Sequence, residues 1–228
     1  VLRRADRFLL VMAADLLEAT IKRLRMFVLR SKTVFHTDNA WQVYGQSGAD
    51  TGVDAAALKF AAEEGDNGLI MLDFAGGNRM VLSPAPLPDA DHPAAAEAWQ
   101  AAEILQGRPW ISQPTVESCV AQMLNQHLLG GVHFKKGCYP GQEIIPRAQY
   151  RGQVRRGMAV CRSAQSIAVG SKVEADGEEV GIVINSAAHD EAFVLLAVIK
   201  HGAAGKALQA GGQALQTLKL LFETEADE

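Results

Sequence analysis

The feature that most narrows the fold of this chain is a change of texture at Arg156. Beyond it the apolar residues come in short β-rich runs, at 157–161, 172–174, 180–184 and 192–199. Asp176-Gly177 separates the second run from the third, and an Asp-Gly pair suits the positive φ angles of a tight hairpin. Short runs punctuated in this way predict a small antiparallel barrel or sandwich.

Upstream the pattern is mixed. Residues 8–12 read as a strand. Asp15 is placed to cap a helix whose apolar face is Leu16, Leu17, Ile21 and Leu24. Residues 26–29 and 33–36 read as extended, 41–44 as a strand, 45–52 as a loop and 54–64 as an Ala-rich helix. Strands at 68–74 and 79–82 flank a turn at Ala75-Gly76-Gly77-Asn78. A proline-rich loop over 84–93 leads to a helix over 94–105, with Gly107 and Pro109 beyond its end. Residues 111–131 fit no single class, and 223–228 form an acidic tail expected to fray. Helices and strands mixed in this way indicate an α+β domain over 1–151, followed by a β-barrel domain over 152–228. The chain opens at Val1 on a strand and helix without preamble, so the natural protein is expected to begin earlier and this chain to be a fragment of it.

Bulk properties exclude several classes. A chain of 228 residues, 48% apolar, can build real cores. A net charge of −4 and a pI of about 5.9 argue against nucleic-acid binding by the molecule as a whole, so any basic site is local. The longest apolar runs, such as 194–199, are too short to cross a bilayer, and no signal peptide is visible. No membrane association is expected, and the cytoplasm is the expected compartment. Cys119, Cys138 and Cys161 form neither a disulfide framework nor a C-x-x-C pair, and they cannot supply a four-cysteine cluster site. The six histidines do not cluster, so no metal site is expected. Trp41, Trp99 and Trp110 are expected in a core or an interface. The chain has no G-x-S-x-G, Walker or dinucleotide-binding motif.

Chemistry concentrates in residues 130–156. Glycines and prolines make this a shaped segment. Lys135, Lys136, Arg147, Arg151, Arg155 and Arg156 supply six of the chain's 22 basic residues, and Glu143 is its only acid. Such a stretch can be a solvated basic loop or a site. Cys138 follows Lys135-Lys136-Gly137, and neighbouring cations lower a thiol pKa. Its sulfur could serve as nucleophile, redox group or soft metal ligand, or it could be a small buried hydrophobe. Glu143 and Arg147 could face one pocket, where a carboxylate beside a guanidinium suits a pterin or guanine edge, or form a structural ion pair. Arg and Lys around Tyr139 and Tyr150 could hold RNA phosphates and stack a base.

The run Lys136-Gly137-Cys138-Tyr139-Pro140-Gly141-Gln142-Glu143 resembles the K-G-C-Y-x-G-Q-E signature of the YgfZ family of folate-binding, aminomethyltransferase-like proteins. Its flanks resemble the family too: Gln122-Met123-Leu124-Asn125 and Gly130-Gly131-Val132 upstream, Arg147, Tyr150-Arg151-Gly152 and Arg155-Arg156 downstream, and Phe27-Val28-Leu29-Arg30 earlier. Ala121 stands where the family usually has proline, and Cys119 where it usually has an aromatic residue.

The resemblance implies an aminomethyltransferase-like α+β folate-binding domain, here without its first strands, and then a small antiparallel barrel. It implies tetrahydrofolate as cofactor and a role in assembling or repairing iron–sulfur clusters. The implied partners are iron–sulfur enzymes, including tRNA-modifying ones, or cluster-assembly proteins, with a weak contact to tRNA. Cys138 would be the functional thiol, supported by Lys136 and Arg147. Glu143, Gln142 and Tyr139 would belong to the folate site, and Gly137 and Gly141 would permit the backbone turns. Catalysis is left open by this reading. The alternative is a folate-dependent aminomethyltransferase, which needs a carboxylate acting on the folate nitrogen.

Overall fold

The computed structural model describes residues 1–48, 61–65, 67–74, 76–88, 93–134, 136–137, 139, 143, 145 and 154–223. Its best-defined unit is a closed barrel of six antiparallel strands: β7 (Arg156–Ser163), β8 (Lys172–Ala175), β9 (Glu178–His189), β10 (Ala192–Lys200), β11 (Leu208–Ala210) and β12 (Gln213–Leu220), ordered β10-β7-β12-β11-β8-β9. The expected choice between barrel and sandwich is thus resolved as a barrel. Closure removes the exposed edges that an open sheet would present.

β7 and β10 read as continuous apolar runs because both of their faces are buried. Ala159, Cys161, Leu195, Ala197 and Ile199 point into the barrel. Met158, Val160, Val194, Leu196 and Val198 point outward into a second core. β11 and β12, absent from the sequence reading, bury one face only. Leu208, Ala210 and Leu215 point inward, and Gln, Thr and Lys occupy most of the rest. The Asp176-Gly177 turn is as expected, with φ of 54° and 80°.

The second core is closed by α2 (Pro93–Leu105), through Ala101 and Ile104, and by Leu124 of a following 3-10 turn. α2 ends as the sequence predicts. Gly107 has φ of +71°, its N–H bonds the carbonyl of Ile104, and the Arg108 N–H bonds that of Glu103, the pairing of a Schellman cap. The chain then meets the barrel again where β9 carries an extra residue opposite Leu196 and Ala197. There the Asn185 carboxamide makes two bonds to the backbone of Trp110, at 2.9 Å and 2.8 Å.

The other side of α2 faces an antiparallel sheet ordered β3-β6-β5-β4, built from β3 (Gln42–Gln46), β4 (Ala61–Glu64), β5 (Ile70–Phe74) and β6 (Asn78–Ser83). Ile70, Leu72, Met80 and Leu82 form its core with Leu2, Trp41, Trp99 and Trp110. The expected β5–β6 hairpin is present, with positive φ at Gly76 and Gly77. Strands β1 (Leu2–Arg3) and β2 (Phe8–Leu9) pair separately, and α1 spans Leu17–Arg25.

Four local expectations are corrected. The strand expected over 8–12 is only Phe8–Leu9. Asp15 does not cap α1. Its carboxylate accepts the Gln113 N–H at 2.7 Å, and the helix starts from Leu16 without a side-chain cap. Residues 26–29 and 33–36 are not strands, because no partner strand lies beside them among the described residues and extended propensity needs one. The amides of Met26, Phe27 and Val28 instead bond back to α1. Ala61–Glu64, expected to end a helix, is a strand paired with β5, where the ladder overrides alanine's helical preference. The rest of that expected helix, residues 49–52 of the expected loop and residues 224–228 of the expected tail lie outside the described residues. No helix among the described residues is long and apolar enough to cross a membrane.

Candidate functional site

A 3-10 turn precedes the signature segment. It spans Ala121–Leu124, with Leu124 buried and Met123 packed on the outer barrel core. Asn125 ends the turn at φ of 52°, a conformation its short amide side chain tolerates, and its Nδ2 donates to the Leu221 carbonyl at 2.9 Å. Gln122 is buried, and its Nε2 donates to the Ile145 carbonyl at 2.6 Å. The amides of Gly131 and Val132 donate to the Gln126 carbonyl at 2.8 Å and 3.1 Å.

Of the expected site residues, Lys136, Gly137, Tyr139 and Glu143 are described. Cys138, Gly141, Gln142 and Arg147 lie outside the described residues. The Lys136 ammonium sits 4.2 Å from the centroid of the half-buried Tyr139 ring, a cation–π contact. Gly137 is exposed and lacks a positive φ, and no described atom lies within 4 Å of where a Cβ would stand. Glu143 is exposed to solvent, and its expected pairing with Arg147 lies outside the described residues.

Of the other two cysteines, Cys161 is buried inside the barrel and Cys119 is half-buried against the outer core. Burial raises the Cys119 thiol, against weaker opposing effects of the Ser118 hydroxyl and Arg156. Burial inside the barrel pushes the Cys161 thiol up to about 11. A raised thiol pKa favours folding while the unfolded thiol is still protonated, and that benefit fades once the unfolded thiol ionises. Stability carried by Cys161 is therefore intact below about pH 8.5 and declines toward pH 11, by roughly 3 kcal/mol in all. Urea unfolding at pH 8 and pH 10.5 checks this. Cys161→Val is expected to flatten the fall, and an unchanged slope in that variant contradicts it.

Among the described residues, clefts indent the surface in two places. Two lie near the amino-terminal strands, of about 400 and 920 Å³, and share Phe8, Val34 and Trp41. Two more, of about 240 and 280 Å³, flank Trp99 and Trp110, which meet at 5.7 Å between the sheet and the barrel. None of the four is lined by Lys136, Tyr139 or Glu143. The buried indole N–H of Trp99 has no hydrogen-bond partner among the described residues. Among the described residues no group of three His, Cys, Asp or Glu side chains is placed to hold a metal ion.

Beside the Trp pair lies a buried polar cluster that the sequence reading missed. Glu103 is 1% exposed on the inner face of α2. Its carboxylate accepts Arg108 at 2.6 Å, Asn78 Nδ2 at 2.6 Å and the Trp110 indole at 3.4 Å. The available signal was a single acid among Ala101, Ile104 and Leu105, with an arginine just past the capping glycine.

No protein-family model matches the chain. A protein of Edwardsiella ictaluri (strain 93-146) named tRNA-modifying protein YgfZ is 30% identical over 177 residues, covering 69% of this chain and 53% of that protein. An uncharacterized protein of Haemophilus influenzae is 27% identical over 173 residues, 75% of this chain and 57% of the relative. A tRNA-modifying protein YgfZ of Photorhabdus laumondii is 48% identical over 64 residues, 28% of this chain and 20% of the relative. The chain spans about half the length of the curated relatives it matches over most of its own. Matches of this extent to several proteins carrying one name, together with the signature at 136–143, show that the chain belongs to the YgfZ family.

Proposed function

We propose that this chain is part of a cytoplasmic, tetrahydrofolate-binding accessory protein that maintains iron–sulfur enzymes, among them enzymes that modify tRNA. The observation that carries the reading is its kinship with proteins named for tRNA modification. In this reading residues 1–151 belong to an aminomethyltransferase-like domain and 152–228 to the barrel domain. Cys138 supplies the working thiol. Lys136 and Arg147 provide positive charge, the latter toward the folate's anionic tail. Tyr139, Gln142 and Glu143 complete the outer part of the folate site, and Gly141 lets the backbone bend around it; Gly137, without a positive φ, is not needed for that turn.

The clefts beside Trp99 and Trp110 are the proposed seat of the planar pterin. They adjoin one another and are both lined by the Trp99 and Trp110 rings, whose flat faces suit a planar ring system. Each alone is small for the whole cofactor, so the tail extends beyond them. When bound, tetrahydrofolate would supply a carrier for one-carbon units, and the residues named here would hold and orient it.

Calorimetric titration with tetrahydrofolate tests the folate assignment. Saturable binding is expected, with quenching of tryptophan fluorescence and weaker binding in Trp99→Ala. Absence of any heat or fluorescence change at millimolar ligand contradicts it. Turnover of an aminomethylated carrier protein would replace the accessory role with an aminomethyltransferase activity.

A further inference from the structure

We infer that Asn185 is a positioning residue for the clefts beside Trp99 and Trp110, and that the β9 bulge aims it there. The inference rests on the reading that a planar ring seats in those clefts, but its geometry stands on separate observations. Side chains along a strand alternate between faces, and directly paired residues share a face. Val183 points into the barrel, so strict alternation would send Ile184 out and Asn185 back in. The register breaks at this point. Leu196 pairs with Asn185 and Ala197 with Val183, which leaves Ile184 as the extra residue. Ile184 and Leu196 lie in the outer core, and Asn185, opposite Leu196, faces outward with them. The bulge thus turns outward a carboxamide that regular pairing would bury inside an apolar barrel.

Outside the barrel the carboxamide engages one residue twice. Its Oδ1 accepts the Trp110 N–H at 2.9 Å, and its Nδ2 donates to the Trp110 carbonyl at 2.8 Å. A carboxylate cannot make that two-way pairing at neutral pH. The Trp110 indole N–H reaches Glu103 of α2 at 3.4 Å. Trp110 is therefore held at its backbone by the barrel and at its ring edge by the helix. Its ring stands 5.7 Å from that of Trp99, tilted by 58°, and both rings line both clefts. Asn185 itself lines the cleft on the barrel side. An aromatic wall already in place favours a ligand, because ordering a side chain on binding costs affinity. Asn185 acts on the ligand through Trp110, by keeping that wall set before the ring arrives.

Asn185→Asp and Asn185→Ala, compared with wild type and Trp110→Phe, test this. Aspartate keeps the shape and the bond from the Trp110 N–H but turns an acceptor on the Trp110 carbonyl, and alanine loses both bonds. Near-ultraviolet circular dichroism reads the Trp99–Trp110 pair, and the change caused by Trp110→Phe marks what Trp110 contributes. Both Asn185 variants are expected to lose part of that contribution. Asn185→Asp is expected to bind tetrahydrofolate about threefold to tenfold more weakly, the range of one neutral hydrogen bond, and Asn185→Ala at least as weakly. Cys161, inside the barrel, is expected to resist alkylation in both variants as in wild type. Alkylation of Cys161 in the native variants would mean that Asn185 serves the barrel alone, and it overturns the inference. A wild-type tryptophan signal or wild-type affinity in both variants overturns it too. If wild type itself binds no tetrahydrofolate while the tryptophan signal changes as expected, the pterin reading fails and the positioning of Trp110 by Asn185 stands.

Discussion

Glu103→Ala is expected to lower the stability of the protein by about 3–5 kcal/mol. The carboxylate is 1% exposed and accepts bonds from Arg108, Asn78 and Trp110. Removing it takes away the charge that balances a largely sheltered guanidinium and strips two neutral donors of an acceptor. Each lost acceptor leaves a desolvated donor behind, which costs more than the bond itself contributed. The side chain also ties the end of α2 to β6, through Asn78, and to the connection entering the barrel, through Trp110. The two cores should therefore loosen together. Chemical denaturation checks the size of the effect. The double variant Glu103→Leu with Arg108→Met is expected to lose much less than the sum of the two single changes, since an apolar pair of similar volume carries no unbalanced charge. Additive losses would mean that the pair is not coupled.

The stretches read correctly from the sequence are those whose pattern has one physical cause. Residues 157–161 and 192–199 were legible because burial on both faces writes an unbroken apolar run. The ends of α2 and of the β5–β6 hairpin were legible because glycines mark them. β11 and β12 escaped because their apolar residues are interrupted by Gln, Thr and Lys on the wet face and form no unbroken run. Ala61–Glu64 was misread because pairing with β5, a contact distant in sequence from the local pattern, outweighs the preference of alanine. Residues 26–29 and 33–36 looked extended because they hold β-branched and aromatic side chains, which favour strands only where a neighbouring strand receives them.

The candidate site divides in the same way. The signature at 136–143 was visible as letters, and Lys136 does meet Tyr139. The contacts around it were not visible. Gln122 was recognised as part of a run, but its bond to Ile145 crosses a gap that no periodicity encodes. Glu103 reads in sequence like any acid on a helix, and only the inward direction of its side chain makes it the centre of a polar cluster. Asn185 likewise became informative only when the β9 irregularity brought it against Trp110.

Cys138→Ala is expected to abolish support of tRNA modification. In cells lacking the endogenous protein, methylthiolated tRNA nucleosides are expected to be restored by wild type and to stay at the level of the deficient cells with the variant. Of the three cysteines only Cys138 has paired lysines directly before it, and cations of that kind stabilise the thiolate that acts as nucleophile or soft ligand. Cys119 and Cys161 are shifted the other way by burial. Cys119→Ala is therefore expected to restore modification fully. Serine at 138 is not expected to substitute, because a hydroxyl is neither ionised near neutral pH nor a soft ligand. Full rescue by Cys138→Ala would remove the thiol from the mechanism.

The underlying physical claim is that one cationic segment presents one reactive sulfur, and rates of alkylation resolved by cysteine test it most directly. Native protein is treated with iodoacetamide across a range of pH, and each cysteine is followed by mass spectrometry. The account predicts that Cys138 reacts first, with an apparent pKa below the ordinary value of about 8.5, that Cys119 lags, and that Cys161 reacts only on unfolding. A Cys138 that stays protected until the protein denatures, or that titrates above Cys119, contradicts the account.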